Sequence, residues 1–114
     1  MVAHIVLFRP RTELPADERA ALVGAFSHAL REIPHLRRAC VGRRVVHGRP
    51  YEQIMTEDFP YAVVLEFDDV DALKSYLQHP AHEELGARFF ASFEAALMYD
   101  YEMSEDGTAL GALP

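Results

Sequence analysis

Residues 61–67 read YAVVLEF, and this strand decides the fold because both of its faces are largely apolar. In an extended strand, successive side chains point to opposite sides of the sheet. One face carries four large side chains, at Tyr61, Val63, Leu65 and Phe67. The other carries Ala62, Val64 and Glu66. A sheet with helices on one side alone should have a polar second face, so the sequence predicts that something else covers this one.

Residues 2–8, VAHIVLF, repeat the pattern near the start of the chain. One face carries His4, Val6 and Phe8, and the other carries Ala3, Ile5 and Leu7. Alternation alone leaves open which of these faces meets the helices. We expect a second copy of the same sheet to cover the remaining apolar face, giving a homodimer joined through the sheet face with a barrel-like core.

Periodicity places the remaining elements around these two strands. Apolar residues recur at helical spacing before Pro34 and on both sides of Pro80, which predicts helices there. One further strand is predicted after the first helix and another after the last helix. The order β-α-β-β-α-β predicts an α+β, ferredoxin-like antiparallel sheet that assembles as a dimeric α/β barrel. The predicted helices span 15–33, 70–78 and 81–97, and the two further strands span 37–46 and 99–103.

Length and composition predict a single domain. The chain has 114 residues, half of them hydrophobic and a quarter charged, which is an ordinary globular composition. We expect residues 1–103 to form the domain and residues 104–114, which have no periodicity, to be a flexible or partner-bound tail. The segment 47–60 is a polar loop too irregular to assign.

Charge and motif content exclude several classes of function. The formal net charge of -7 argues against binding to nucleic acid or to an anionic membrane. The lone Cys40 excludes an intrachain disulfide, and the short apolar run at the N-terminus lacks a basic leader, so we expect a cytoplasmic protein. Neither a metal-binding motif nor a glycine-rich phosphate loop is present, and we expect no metal and no cofactor. Asp68 and Asp71 are interpreted as helix-capping residues.

The stretch SYLQHPAHEELGARFF, residues 75–90, contains two histidines three positions apart. On a helix that starts at the proline, positions 82, 86, 89 and 93 share one face. His82 is therefore expected to point inward with Phe89 and Phe93, whereas His79 is expected to lie at the helix cap. Gly86, on the same inward face, either permits close packing on the sheet or leaves space for a ligand.

The remaining histidines and the last tyrosines carry weaker signals. His28, His35 and His47 lie off the apolar pattern, and we expect them at the surface. Tyr99 and Tyr101 alternate on one face of the last strand and are expected in the sheet core or the dimer interface.

Five segments together resemble the stress-responsive A/B barrel (Dabb) family: HIVLF, EIP, YAVVLEF, YLQHPAH and YDYE. The resemblance covers about residues 2–102, and HPAH preceded by a tyrosine is its most specific part. It implies a dimer of ferredoxin-like subunits. Some family members are known as stress-associated proteins, whereas the plant polyketide cyclase of the family closes a linear poly-β-keto thioester by aldol condensation.

The same resemblance implies a set of site residues. The pocket of the plant cyclase is bordered by residues that correspond here to His4, Tyr76 and His82, which implies catalytic roles for them. A histidine can remove a proton next to a carbonyl, and a tyrosine hydroxyl can stabilise the enolate. On an ungapped comparison, two polar pocket residues of that cyclase are replaced here by Phe26 and Val63. We therefore expect a more apolar substrate pocket, lined by Phe26, Val63, Gly86, Phe89 and Phe93.

Three classes of function remain at this point. The first is a cofactor-independent cyclase or lyase acting on an apolar, carbonyl-containing small molecule, and the second is a protein that binds such a ligand without chemistry. The third is a structural or stress-related dimer whose cavity is filled by its own side chains. Histidines aimed into an open cavity favour the first class. Hydrogen bonds of His4 and His82 to each other or to the backbone favour the third.

Overall fold

The chain forms a four-stranded antiparallel sheet with helices on one face, as described by a computed structural model of all residues, Met1–Pro114. This α+β, ferredoxin-like architecture confirms the predicted fold class. Its elements are β1 (Val2–Pro10), α1 (Ala16–Glu32), β2 (Leu36–Arg43), α2 (Tyr51–Ile54), β3 (Tyr61–Phe67), α3 (Val70–Gln78), α4 (Pro80–Ser92), β4 (Phe93–Glu102) and a 3₁₀ helix (Thr108–Ala112).

The strand order in the sheet is β2-β3-β1-β4, so the first and third strands are central. In this register His4 lies opposite Leu65 on β3 and opposite Asp100 on β4. Directly opposed residues of antiparallel strands project to the same face. The register therefore places Asp100 beside His4.

The two faces of the sheet differ in how well the chain itself covers them. The face towards the helices holds most of the core, including Val6, Leu65 and Phe67, all at most 7% exposed. His4 is 8% exposed on this same face, which answers the question that alternation left open. On the opposite face Tyr99 is 54% exposed and Tyr101 is 48% exposed. An apolar face thus remains uncovered within one chain.

Local capping fixes where the two helices around the HPAH stretch begin. The Asp69 carboxylate accepts a hydrogen bond from the backbone N–H of Ala72 at 2.8 Å and caps α3. The sequence predicted Asp68 for this position, but Asp68 instead pairs with Arg37. His79 caps α4, as predicted, by accepting a hydrogen bond from Ala81 N–H on its Nδ1 at 3.1 Å.

None of the helices has the length and apolarity needed to cross a membrane.

The boundary between α4 and β4 differs from the prediction. The sequence predicted a helix to residue 97, but α4 ends at Ser92 and Phe93 is the first residue of a ten-residue strand. The segment after Phe93 contains good helix formers, yet it pairs with β1 down to Pro10. Tertiary pairing with a central strand here overrides intrinsic helix propensity. Phe93 therefore occupies a strand and not the helix face that was predicted.

Three smaller features concern the periphery, and only the first differs from the prediction. Strand β2 ends at Arg43, so Val45 and Val46 are exposed loop residues, 76% and 75% accessible. The unassigned loop contains the short helix α2. The tail forms a 3₁₀ helix that is exposed throughout.

Candidate active site

A cavity of about 650 Å³ lies between the helix-facing side of the sheet and helices α1 and α4. Its size is within the range of small-molecule binding sites. Sixteen of its 24 lining residues are hydrophobic, so it suits a largely apolar ligand. All eight residues proposed from the sequence line it: His4, Phe26, Val63, Tyr76, His82, Gly86, Phe89 and Phe93.

Three polar side chains meet at one end of this cavity. The Tyr76 ring lies between the two histidines, with its centroid 6.0 Å from that of His4 and 4.7 Å from that of His82. The three residues come from β1, α3 and α4, respectively. Tyr76 is held in place by packing on Phe67, at a centroid separation of 5.2 Å.

The orientation of His4 is set by a carboxylate that the sequence did not reveal. Nδ1 of His4 lies 2.6 Å from Oδ1 of Asp100, and because an ionised carboxylate only accepts, Nδ1–H is the donor. No protein group forms a hydrogen bond with Nε2 of His4. The carboxylate therefore fixes the ring with Nε2 free to form a hydrogen bond at the end of the cavity.

Tyr76 is a protonated hydrogen-bond donor at neutral pH. Burial raises the pKa of its phenol to about 12. The Tyr76 hydroxyl makes no hydrogen bond within the protein. Every fully buried polar side-chain atom has a hydrogen-bond partner, so this hydroxyl is not fully buried and is accessible from the cavity that Tyr76 lines. It can donate to a ligand oxygen without breaking an existing bond.

His82 is held in its neutral form. Burial lowers its pKa from the usual 6.5, and the nearby His4 lowers it further. A hydrogen bond with the Leu77 backbone and the nearby Glu83 carboxylate act in the opposite direction and raise it. A neutral imidazole at pH 7 can accept a proton, which is the property a general base requires.

Aromatic side chains form the walls between this polar end and the rest of the cavity. Phe89 packs against Phe8 at 4.9 Å and against Phe93 at 4.8 Å between ring centroids. Phe93 thus borders the cavity as predicted, although it does so from β4. Phe26 approaches from α1, and Val63 lies in the floor formed by β3.

Asp100, Arg11 and Arg19 are site features that the sequence analysis missed. The signal for Asp100 was present, because it is an acid between two tyrosines that face the opposite side of the last strand. Its pairing with His4 depends on the strand register, which no local pattern fixes. The two arginines line the cavity from a loop and from the start of α1.

The other histidines lie away from the trio. His28 is 3.4 Å from Glu84, and His47 bonds to the Tyr51 hydroxyl on the exposed loop. His35 is exposed in a turn with φ of 70°. No three His, Cys, Asp or Glu side chains are grouped as metal ligands.

Gly86 borders open space. A Cβ at this position would meet no atom within 4 Å outside its own helix backbone and chain neighbours. Of the two interpretations that the sequence allowed, space for a ligand therefore agrees with the structure, and close packing on the sheet does not.

We expect Gly86→Leu to weaken binding of small apolar ligands by about tenfold or more while the fold is retained, because the new side chain occupies ligand volume. Helix propensity should raise the free energy of unfolding by up to about 1 kcal/mol. Calorimetric titration and denaturant unfolding measure the two effects. Gly24→Leu is the matched control, because Gly24 lies within α1, has equally open surroundings and does not line the cavity. Unchanged binding in Gly86→Leu would contradict the cavity assignment.

Comparison with known proteins places this geometry in a family. The sequence profile of the "Stress responsive A/B Barrel Domain" matches residues 2–103. An uncharacterised protein of Streptomyces coelicolor is 33% identical over 105 residues, covering 90% of this chain and 99% of that protein. Olivetolic acid cyclase of Cannabis sativa is 21% identical over 100 residues, covering 88% and 94%.

Solved structures agree with the fold. Hydroxynitrile lyase from Passiflora edulis superposes with a TM-score of 0.77 at 19% identity, covering 93% of this chain and 95% of that one. A dimeric ferredoxin-like protein from Thermobifida fusca gives a TM-score of 0.68 at 22% identity, covering 90% of both chains. Because the family profile spans nearly the whole chain, this protein belongs to the stress responsive A/B barrel domain family.

Proposed function

We propose that the protein is a cofactor-independent enzyme of the cyclase or lyase type, which removes a proton next to a carbonyl of a largely apolar small molecule. The observation that carries the proposal is the grouping of a neutral His82, a protonated Tyr76 and a carboxylate-oriented His4 at one end of an apolar cavity. A base and a hydrogen-bond donor side by side are what enolate formation requires.

In the proposed reaction, the imidazole of His82 takes the proton from the carbon next to the substrate carbonyl. The Tyr76 hydroxyl donates a hydrogen bond to the enolate oxygen that forms. The enolate carbon then attacks a second carbonyl of the same molecule, forming a carbon–carbon bond, and the resulting alkoxide takes the proton back from His82. His4 orients the substrate, because its Nε2 is free to form a hydrogen bond.

The relatives support the class of reaction and not the substrate. One relative is named as a cyclase and one structural neighbour as a lyase. The identity to both proteins is too low to indicate a shared substrate. The aromatic side chains in the walls of this cavity, Phe26, Phe89 and Phe93, are expected to select the substrate here. We propose an apolar, carbonyl-containing ligand held by them.

A homodimer joined through the open sheet face is part of the proposal. The exposed tyrosines of β4 support it, and the structural neighbour from Thermobifida fusca is described as dimeric. A two-fold pairing of this face would remove apolar surface from water on both subunits at once.

Ligand binding without chemistry is the second candidate function, and the open cavity favours it as much as catalysis. A cavity filled by the protein's own side chains does not agree with the space beside Gly86. His4 bonds to Asp100 and not to His82, whereas the hydrogen bond of His82 with the Leu77 backbone is a contact expected of the third class. Binding and catalytic assays therefore decide among the three classes.

The pH dependence of proton abstraction tests the proposed base. Because the folded pKa of His82 is below 6.5, the rate should be constant around neutral pH. It should then fall about tenfold per pH unit once the pH is below that pKa. The unfolded chain protonates this histidine first, so the free energy of unfolding should also fall from about pH 6.5 down to the folded pKa and then level off.

Exchange of the protons next to the carbonyl of nonan-2-one with deuterated solvent, followed by NMR, measures this rate without knowledge of the natural substrate. An acidic limb centred below pH 6.5 in the parent and absent in His82→Ala is the expected result. A limb with a midpoint above pH 6.5, or one that survives in the variant, would rule out His82 as the base.

A further inference from the structure

The charged residues that line the cavity have one sign. The chain has 18 acidic and 11 basic residues, yet no aspartate or glutamate lines the cavity, whereas Arg11 and Arg19 do. An acidic protein that gathers only guanidinium groups at an apolar cavity has an electrostatic preference there for anions.

These arginines lie at the end of the cavity remote from His82. Along β1, His4 is six residues before Pro10, which is about 20 Å of extended strand. Along α4, His82 and Ser92 are ten residues apart, or about 15 Å of helix. The backbone N–H of Arg11 bonds to the Ser92 carbonyl at 3.0 Å, which fixes Arg11 at the far end.

Arg19 lies at the same end because α1 and α4 run antiparallel. His28, near the end of α1, is 3.4 Å from Glu84, near the start of α4. Arg19, in the first turns of α1, must then lie towards the end of α4. We call this opening the mouth, and it consists of Arg11, Thr12, Arg19, Val23 and Phe90, all exposed lining residues.

The guanidinium groups of the mouth have no carboxylate partner. Arg11 donates from one Nη to the Ala91 carbonyl at 2.9 Å and keeps its other N–H groups free. The Arg19 side chain makes no hydrogen bond or ion pair. By contrast, Arg9 bonds to Glu57 and Glu94 outside the cavity. The guanidinium group of arginine presents several N–H donors in a fork that matches the two oxygens of a carboxylate. The free N–H groups of the mouth can therefore bind a carboxylate.

We infer that the mouth binds the carboxylate of an amphipathic ligand whose apolar chain lies along Phe89 and Phe93 towards His82. The exposed apolar side chains of Val23, at 65%, and Phe90, at 70%, suit the passage of such a chain. Identifying this ligand as the substrate rests on the proposed function. The substrate then carries an acidic group at the end opposite the reacting carbonyl, about 15 Å away along α4.

Calorimetric titration with octanoate and with octan-1-ol tests this inference. These probes share a chain length and differ in the charge of the head group. Octanoate should bind the parent about tenfold more tightly than octan-1-ol. Arg19→Gln should weaken octanoate binding by about three- to tenfold, and Arg11→Gln with Arg19→Gln should make the two probes bind alike. Arg31→Gln, in the exposed last turn of α1 and outside the cavity, is the charge-matched control and should change neither.

Equal affinity of the parent for both probes, failure of octanoate to bind, or an equal effect of Arg31→Gln would overturn the inference. The result is separable from the proposed function, because His82→Ala should still bind octanoate. Proton exchange without arginine-dependent octanoate binding contradicts only this inference. Arginine-dependent binding without any proton exchange contradicts only the proposed enzyme.

Discussion

The His82→Ala variant is expected to catalyse exchange of carbonyl-adjacent protons about 10² to 10⁴ times more slowly than the parent. The cause is the loss of the neutral imidazole that lies beside Tyr76 at the polar end of the cavity. Because His82 is half-buried beside open space and alanine is a good helix former, the free energy of unfolding should change by less than about 1 kcal/mol. NMR exchange rates and denaturant unfolding give the two quantities.

His79→Ala is the control for this prediction. His79 belongs to the same HPAH stretch, but its ring caps α4 and does not line the cavity. Its replacement should cost about 1 kcal/mol of stability through loss of the cap and leave the exchange rate nearly unchanged. Equal activity of His82→Ala and the parent, or loss of activity only through unfolding, would make His82 a structural residue.

Leu97→Glu is expected to weaken the proposed homodimer by about 10³-fold. Leu97 is 40% exposed on the sheet face opposite the helices, beside Leu7 of β1. In a two-fold interface each substitution appears twice, and burying an unpaired charge at about 2 kcal/mol per copy gives about 4 kcal/mol in total. Sedimentation velocity at micromolar concentration should show a dimer for the parent and a monomer for the variant.

Ala87→Glu is the matched control for the interface. Ala87 is an exposed small apolar residue of α4, on the helical side of the sheet, and receives the same added charge. This variant should remain a dimer. A parent protein that sediments as a folded monomer, or a Leu97→Glu variant that stays dimeric, would show that the open sheet face is not the interface.

The sequence predicted the fold well because its strongest signals are periodic. The apolar faces of β1 and β3 and the helical spacing before Pro34 each reflect a local pattern with a physical cause. The end of α4 was not predictable in this way, because residues 94–97 have helix propensity and become a strand only by pairing with β1. A single sequence does not contain that pairing explicitly.

The candidate site, like the fold, was predictable where a local pattern exists and not where residues distant in sequence pair. The inward direction of His82 follows from helical spacing, and its proximity to His4 and Tyr76 was implied by family resemblance. The contribution of Asp100 depends on the register between β1 and β4, which sets His4 opposite a residue 96 positions away in sequence and which no local pattern determines. The mouth was missed for a related reason, because Arg11 and Arg19 are ordinary surface residues until the fold brings them to one end of a cavity.

The most direct test of the central claim is a crystal structure of the protein with nonane-2,4-dione, a diketone whose carbonyls and apolar chain match the proposed ligand. We predict electron density in the cavity, with a carbonyl oxygen about 3 Å from the Tyr76 hydroxyl and the adjacent carbon about 3.5 Å from a ring nitrogen of His82. Ligand density elsewhere on the protein, or a cavity closed by its own side chains, would contradict the account.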